Sequence, residues 1–454
     1  MSGKRGEATL LHNIVDKYQN AILAAFQYFW KNPETGYREV KTSAYLQAAF
    51  QEMGYSVVTA GNIPGFYADL DTGRPGPTVA ILAELDALLC PAHPEADPET
   101  GAVHCCGHAA QLAALFGVAA VLKEQGVLAG LCGKIRLMAV PAEESIEIDY
   151  RKKLIEQGII HYYTGKVECM YRGWFDSVDI AFMIHTRSTT ENSGFINGGS
   201  NGCIIKEIEF SGVASHAGGS PHLGINALYA ANLALNAVNS LRETFQDCNH
   251  IRFHPIITAG GESVNVIPNY VRMESYVRGT TIEAISSANY KINRAIAASA
   301  AALGANVRIN DTFGYHPLRN CQSLIPIVEN VMGNILGAVT CTPDDIGSGC
   351  TDMGDLSSVM PVIHPYVSGA KGTSHGADYI ISDPYTACIR SAKVQLGFLE
   401  RLLENNAKLA NQVISEYKPI YGSIAEYFQK IDSLSIDSQA VTYSDDNCIT
   451  LKLS

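Results

Sequence analysis

Apolar positions recur along the chain in two periods, three-to-four and two, and the alternation between them predicts the elements. Leu11, Ile14, Val15, Tyr18, Ile22, Leu23, Phe26 and Phe29 fall three or four apart, which predicts an amphipathic helix over 8–31 that Asn32-Pro33 ends. A second helix is expected over 42–54, with Thr42-Ser43 as its caps. Short apolar runs at 55–58, 65–70, 78–83, 134–140 and 178–184 read as strands, and the apolar run from Leu112 to Leu122 reads as a helix. Strands alternating with helices of this length predict a βαβ-rich, largely parallel sheet.

Three of these strands run into polar groups. The run at 78–83 leads into Glu84-Leu85-Asp86, the run at 134–140 into Pro141-Ala142-Glu143-Glu144, and the run at 178–184 into His185. Open α/β sheets build their sites at the carboxyl ends of strands, so the repetition carries more than any one residue. Between the first two lies His104-Cys105-Cys106-Gly107-His108, expected as a loop. A Cys-x-His pair puts a thiolate and an imidazole within reach of one cation, and Asp86 is placed to orient a ligand. Two adjacent acids cannot share a buried place without a cation; one glutamate as ligand and the other as general base resolves their repulsion. The plain alternative is a buried Cys, a loop His, a solvated acidic turn and a boundary His. Residues 146–173 read as a helical insertion with a loop and no assignable chemistry.

From about residue 199 the pattern changes. Gly198-Gly199-Ser200-Asn201-Gly202 reads as a linker into a β-α-β-β-α-β order, which predicts an inserted α+β domain at 199–315 with His216 and Arg278 as its polar candidates. The catalytic domain then comprises 1–198 and 316–454. Its second part contains a loop at 347–355, a strand at 361–367, the segment 369–376 with His375, and a helix at 384–405, followed by a polar tail.

Composition narrows the classes. The 454 residues are 47% hydrophobic and 17% charged, as expected of a globular enzyme, and the net charge of −12 argues against nucleic acid or an anionic membrane as the main partner. Small molecules are the expected partners. The amino terminus is not of signal-peptide type and no long uncharged apolar window occurs, so a cytoplasmic location is expected. Twelve irregularly spaced cysteines predict free thiols, not a disulfide framework.

The order Asp86, Cys106-Gly107-His108, Glu143-Glu144, His185, His216, Asn265-Val266-Ile267-Pro268, Arg278, Thr351-Asp352-Met353-Gly354-Asp355 and Ser374-His375-Gly376 resembles the amidohydrolase branch of the aminoacylase and carboxypeptidase metallopeptidase family. The resemblance runs from about residue 8 to 405 and is strongest to the p-aminobenzoyl-glutamate type. It implies a zinc-peptidase-like catalytic domain with a mixed central sheet flanked by helices, and a ferredoxin-like lid and dimerisation domain. The implied activity is hydrolysis of the amide bond of an N-acyl amino acid by a metal-activated water. Cys106, His108, Glu144, His185 and His375 are the implied ligands of two divalent ions, zinc or manganese. Glu143 is the implied general base, His216 stabilises the oxyanion, and Asp86 completes the catalytic set. Asn265, Arg278 and Asp352 are implied to bind the substrate, and a homodimer is implied as the working form.

Two features depart from the family pattern. Ala109 and Gln111 stand where an acid or amide and a second His are usual, which removes an expected support beside His108, and 146–173 is unusually long. The competing readings are a dipeptidase or carboxypeptidase of the same family, a metal-free Cys hydrolase, and a non-catalytic binding relative.

Overall fold

The computed structural model describes residues 11–189, 193–444 and 448–452. Its contacts group into two units: residues up to 199 with 319–345 and 355–420, and residues 200–318 with 346–354 and 421–454. Among the described residues no helix is long and apolar enough to cross a membrane.

The first unit is built on a six-stranded sheet in the order Val57–Thr59, Phe66–Asp71, Lys134–Val140, Thr78–Glu84, Ile180–Phe182, Val362–Ile363. The last four are parallel neighbours and the first two pair antiparallel, so the sheet is mixed. Every residue of Thr78–Glu84 is buried, as a parallel strand covered on both faces must be. The helix His108–Leu122 is buried almost all round, and its apolar sequence shows no polar face to present to water. It starts four residues earlier than the apolar run suggests, which places His108 and Gln111 on its first turn. The expected helix at 8–31 is interrupted by a 3-10 turn at Val15–Tyr18, and its residues 8–10 lie outside the described residues.

The second unit has the order Gly202–Ser211, helix Ala227–Asn239, the short strands Arg252–Phe253 and Ile256–Ala259, then Tyr270–Gly279, helix Ile282–Ala302 and Asn306–Tyr315. Gly202–Ser211 is central in the sheet, between Tyr270–Gly279 and Asn306–Tyr315. Tyr270–Gly279 alternates buried and open positions, so one face carries the two helices.

Two expectations are corrected. The stretch 198–202 is not a linker: Gly194–Ser200 and Gly202–Ser211 are strands, and a Cβ on Gly198 would lie 2.2 Å from the Pro343 carbonyl oxygen. Its glycines permit close strand approach, not flexibility. The tail 421–454, expected with the catalytic domain, belongs to the second unit, where Ile436–Gln439 pairs antiparallel with Asn306–Tyr315 and Asp437 meets Arg308.

Candidate metal centre and catalytic site

Lys134–Val140, Thr78–Glu84 and Ile180–Phe182 lie side by side and parallel, so Glu84, the Glu143-Glu144 pair and His185 emerge at one edge of the sheet. Cys106 and His108 join them from the loop that opens the buried helix. Gly107 between the two has φ +113°, and a Cβ there would lie 2.1 Å from Thr186 Oγ1 and 2.7 Å from the Tyr379 hydroxyl. No other residue fits that place, because both the left-handed backbone and the space exclude a side chain. The Tyr379 hydroxyl in turn donates to the Cys106 carbonyl at 3.0 Å and so fixes the thiol's backbone.

The ligand atoms of Cys106, His108 and His185 lie within 4.8 Å of one another, and so do those of Cys106, Glu144 and His375. Cys106 is common to both trios. His185 Nε2 lies 3.3 Å from Cys106 Sγ, and its Nδ1 lies 2.7 Å from the Thr186 carbonyl oxygen. That carbonyl accepts the Nδ1 proton, so Nε2 presents its lone pair to the thiol side. His375 Nε2 lies 3.1 Å from Glu144 Oε1. His375 holds φ +65°, a sparsely populated backbone for a non-glycine residue, and its N–H donates to the Cys105 carbonyl at 2.9 Å. These two sets of mixed sulfur, nitrogen and oxygen donors fit two borderline divalent cations with a shared thiolate.

Asp86 is completely buried and ties the two halves together. Its carboxylate faces His108 Nδ1 at 3.1 Å and accepts the Glu144 backbone N–H at 2.8 Å. Burial pushes the Glu144 carboxyl up, but the hydrogen bond and charge of His375, with His108, outweigh it and hold the group below its usual range. Burial also pushes the Cys106 thiol well up, which a bound cation reverses by taking the thiolate. Cys105, by contrast, is buried in the apolar core and belongs to neither trio.

Several residues that the sequence did not single out support this arrangement. Ala142 holds φ +53°; its N–H donates to Glu39 Oε1 at 2.7 Å and its carbonyl accepts from Gly165 at 3.0 Å. Arg151, buried, donates to the Tyr163 carbonyl at 2.5 Å and to the Glu144 carbonyl. Gly165 and Arg151 lie in the segment 146–173, whose contribution is therefore to brace the loop that carries both glutamates. Lys166 of the same segment meets Glu84 Oε1 at 2.5 Å. Gln111 also proves to be a support: it donates to Glu84 Oε2 at 3.0 Å and accepts from the Glu84 N–H at 3.0 Å. Glu84 was legible in principle, since it is the polar end of the apolar strand that leads to Asp86. Lys166 gave no signal, being 82 residues away in sequence.

The remaining candidates lie in the second unit. His216 is exposed and its Nδ1 accepts from Gly218 and Gly219 N–H at 3.2 and 2.8 Å, while Ala217 N–H donates to the Asn265 carbonyl at 2.9 Å. His216 and Asn265 are thus brought together. Arg278 reaches the Ser348 carbonyl at 3.5 Å, beside the loop in which Asp352 is fully buried.

A family model described as peptidase family M20/M25/M40 matches residues 65–404. The chain is 28% identical over 385 residues to the Xaa-Arg dipeptidase of Mus musculus, covering 80% of each. It is 28% identical over 297 residues to the indole-3-acetyl-aspartic acid hydrolase of Enterobacter agglomerans, covering 61% of this chain and 63% of that one. A dinuclear metal binding peptidase of the M20 family from Bacillus subtilis shares the fold, with a TM-score of 0.65 at 19% identity over 86% of this chain and 99% of that one. With the ligand trios, the paired glutamates and this match in view, the chain belongs to peptidase family M20/M25/M40 and is a metal-dependent hydrolase of amide bonds.

Proposed function

We propose that the protein hydrolyses the amide bond of an N-acyl amino acid, with two divalent cations held by Cys106, His108 and His185 and by Cys106, Glu144 and His375. The observation that carries this reading is the pair of ligand trios sharing one thiol beside Glu143. When bound, the cations lower the pKa of water and polarise a carbonyl. The protein's own residues do the rest. The Glu143 carboxylate takes the proton of the attacking water and returns it to the leaving amine. Asp86 fixes the tautomer and direction of His108 and the backbone of Glu144. His216 stabilises the oxyanion, and Asn265, Arg278 and Asp352 bind the substrate, roles that rest on the family resemblance. Thiolate and imidazole donors favour zinc, while the carboxylate keeps manganese in play.

A dipeptide is the second reading, favoured by the even 80% coverage of the Xaa-Arg dipeptidase. Measuring bound metal together with turnover on N-acyl, aminobenzoyl and dipeptide substrates separates the two. We expect chelation to abolish activity and readdition of zinc or manganese to restore it; full activity after complete metal removal would sink the reading.

A homodimer formed through the second unit is part of the proposal. Leu223, Tyr229 and Ile256 of that unit are 65%, 64% and 61% exposed, apolar side chains that such an interface would cover. Sedimentation equilibrium is expected to give a dimer that Tyr229→Lys with Ile256→Lys converts to monomer. A wild-type protein that stays monomeric and active overturns this part. The twelve cysteines, all free, support a reducing, cytoplasmic location.

A further inference from the structure

We propose that Glu84 is a further ligand of the metal centre, closing on the ion that His108 Nε2 binds; the inference rests on the metal reading above. His108 Nδ1 lies 2.9 Å from the Asp86 carbonyl oxygen and 3.1 Å from Asp86 Oδ1. Both are acceptors, so Nδ1 carries the ring proton and Nε2 presents a lone pair. That Nε2 is buried and has no hydrogen-bond partner. Facing it at 3.1 Å is Glu84 Oε2, itself an acceptor. Two lone pairs at this distance repel unless a proton or a metal cation stands between them, and the test below separates the two.

The surroundings of Glu84 aim it at that gap. Lys166, fully buried, takes Oε1, and Gln111 holds both the backbone N–H of Glu84 and Oε2. The ligand atoms of Glu84, His108 and Glu143 lie within 4.8 Å of one another, and His108 is common to this trio and to that of Cys106 and His185. Glu84 would therefore add a carboxylate oxygen on the His108 side of the centre, where His108 is the residue common to the two groups. Gln111, which replaces a His of the usual family pattern, becomes the residue that orients this added carboxylate.

The test strips wild type and Glu84→Gln of metal and titrates both with Zn²⁺ by calorimetry and with Co²⁺ by visible absorption. Wild type is expected to take up two ions. The variant is expected to bind one of them at least about tenfold more weakly, with an altered Co²⁺ spectrum, and the other unchanged. Because Glu84→Gln leaves the Lys166 charge buried without its anion, Glu84→Gln with Lys166→Met is measured beside it; this double variant removes both charges and is expected to show the same selective loss. Equal affinity and an equal Co²⁺ spectrum in the folded double variant would reduce Glu84 to an ion-pair partner of a protonated His108 and overturn the proposal. A wild-type protein that binds no ion would instead overturn the metal reading itself.

Discussion

Glu143→Gln is expected to keep its bound metal and to lose about two to four orders of magnitude in kcat, the usual worth of positioned acid–base catalysis. The two adjacent glutamates are separated by their partners. Glu144 lies against His375 at 3.1 Å and belongs to a trio with Cys106, whereas Glu143 is grouped with Glu84 and His108 and takes no part in either of the trios that contain the thiol. Glutamine is nearly isosteric and keeps an oxygen, but it cannot take a proton at neutral pH. A loss of kcat with unchanged KM and unchanged metal content identifies a group that acts in the transition state. Should metal leave with the carboxylate, the roles of Glu143 and Glu144 are interchanged.

Cys106→Ala is expected to be as damaging by a different route. Both trios contain its sulfur, so the variant loses at least one ion per chain and with it the activity. His108→Ala is expected to release the ion of the first trio. Cys105→Ala is expected to keep both ions, because its side chain lies in the apolar core and only its carbonyl, which the substitution preserves, holds His375. Metal analysis of the three purified variants checks this set. If Cys105→Ala is the one that empties, the register of the loop is wrong by one residue.

Much of the fold is legible in the sequence because it rests on local pattern. The apolar run Val79 to Ala83 reads as a strand covered on both sides, and its neighbours at 134–140 and 180–182 follow from the same logic, so the convergence of three strand ends is visible in the residues alone. The places that mislead are those where long-range contacts decide. Glycines at 198–202 look like a hinge in sequence, yet they are where strands approach too closely for a Cβ. Segment 146–173 has no periodicity that reveals its purpose, since Arg151 and Lys166 act on Glu144 and Glu84 through space. Gln111 reads as a lost support because the sequence displays only its own residue type, not the carboxylate 27 positions upstream that it holds.

The strand Ile436–Gln439 also bears on how the chain is made. It completes the second sheet beside Asn306–Tyr315, but the whole of 319–345 and 355–420, which belong to the first unit, is synthesised between the two. During translation that edge stands open, with the unpaired amides and carbonyls that invite another chain to add to it. Arg308 lies on this edge, and its guanidinium, which later meets Asp437, first serves as a charge that discourages such pairing. The same arginine thus guards the nascent sheet before its ion pair with Asp437 seals the finished one.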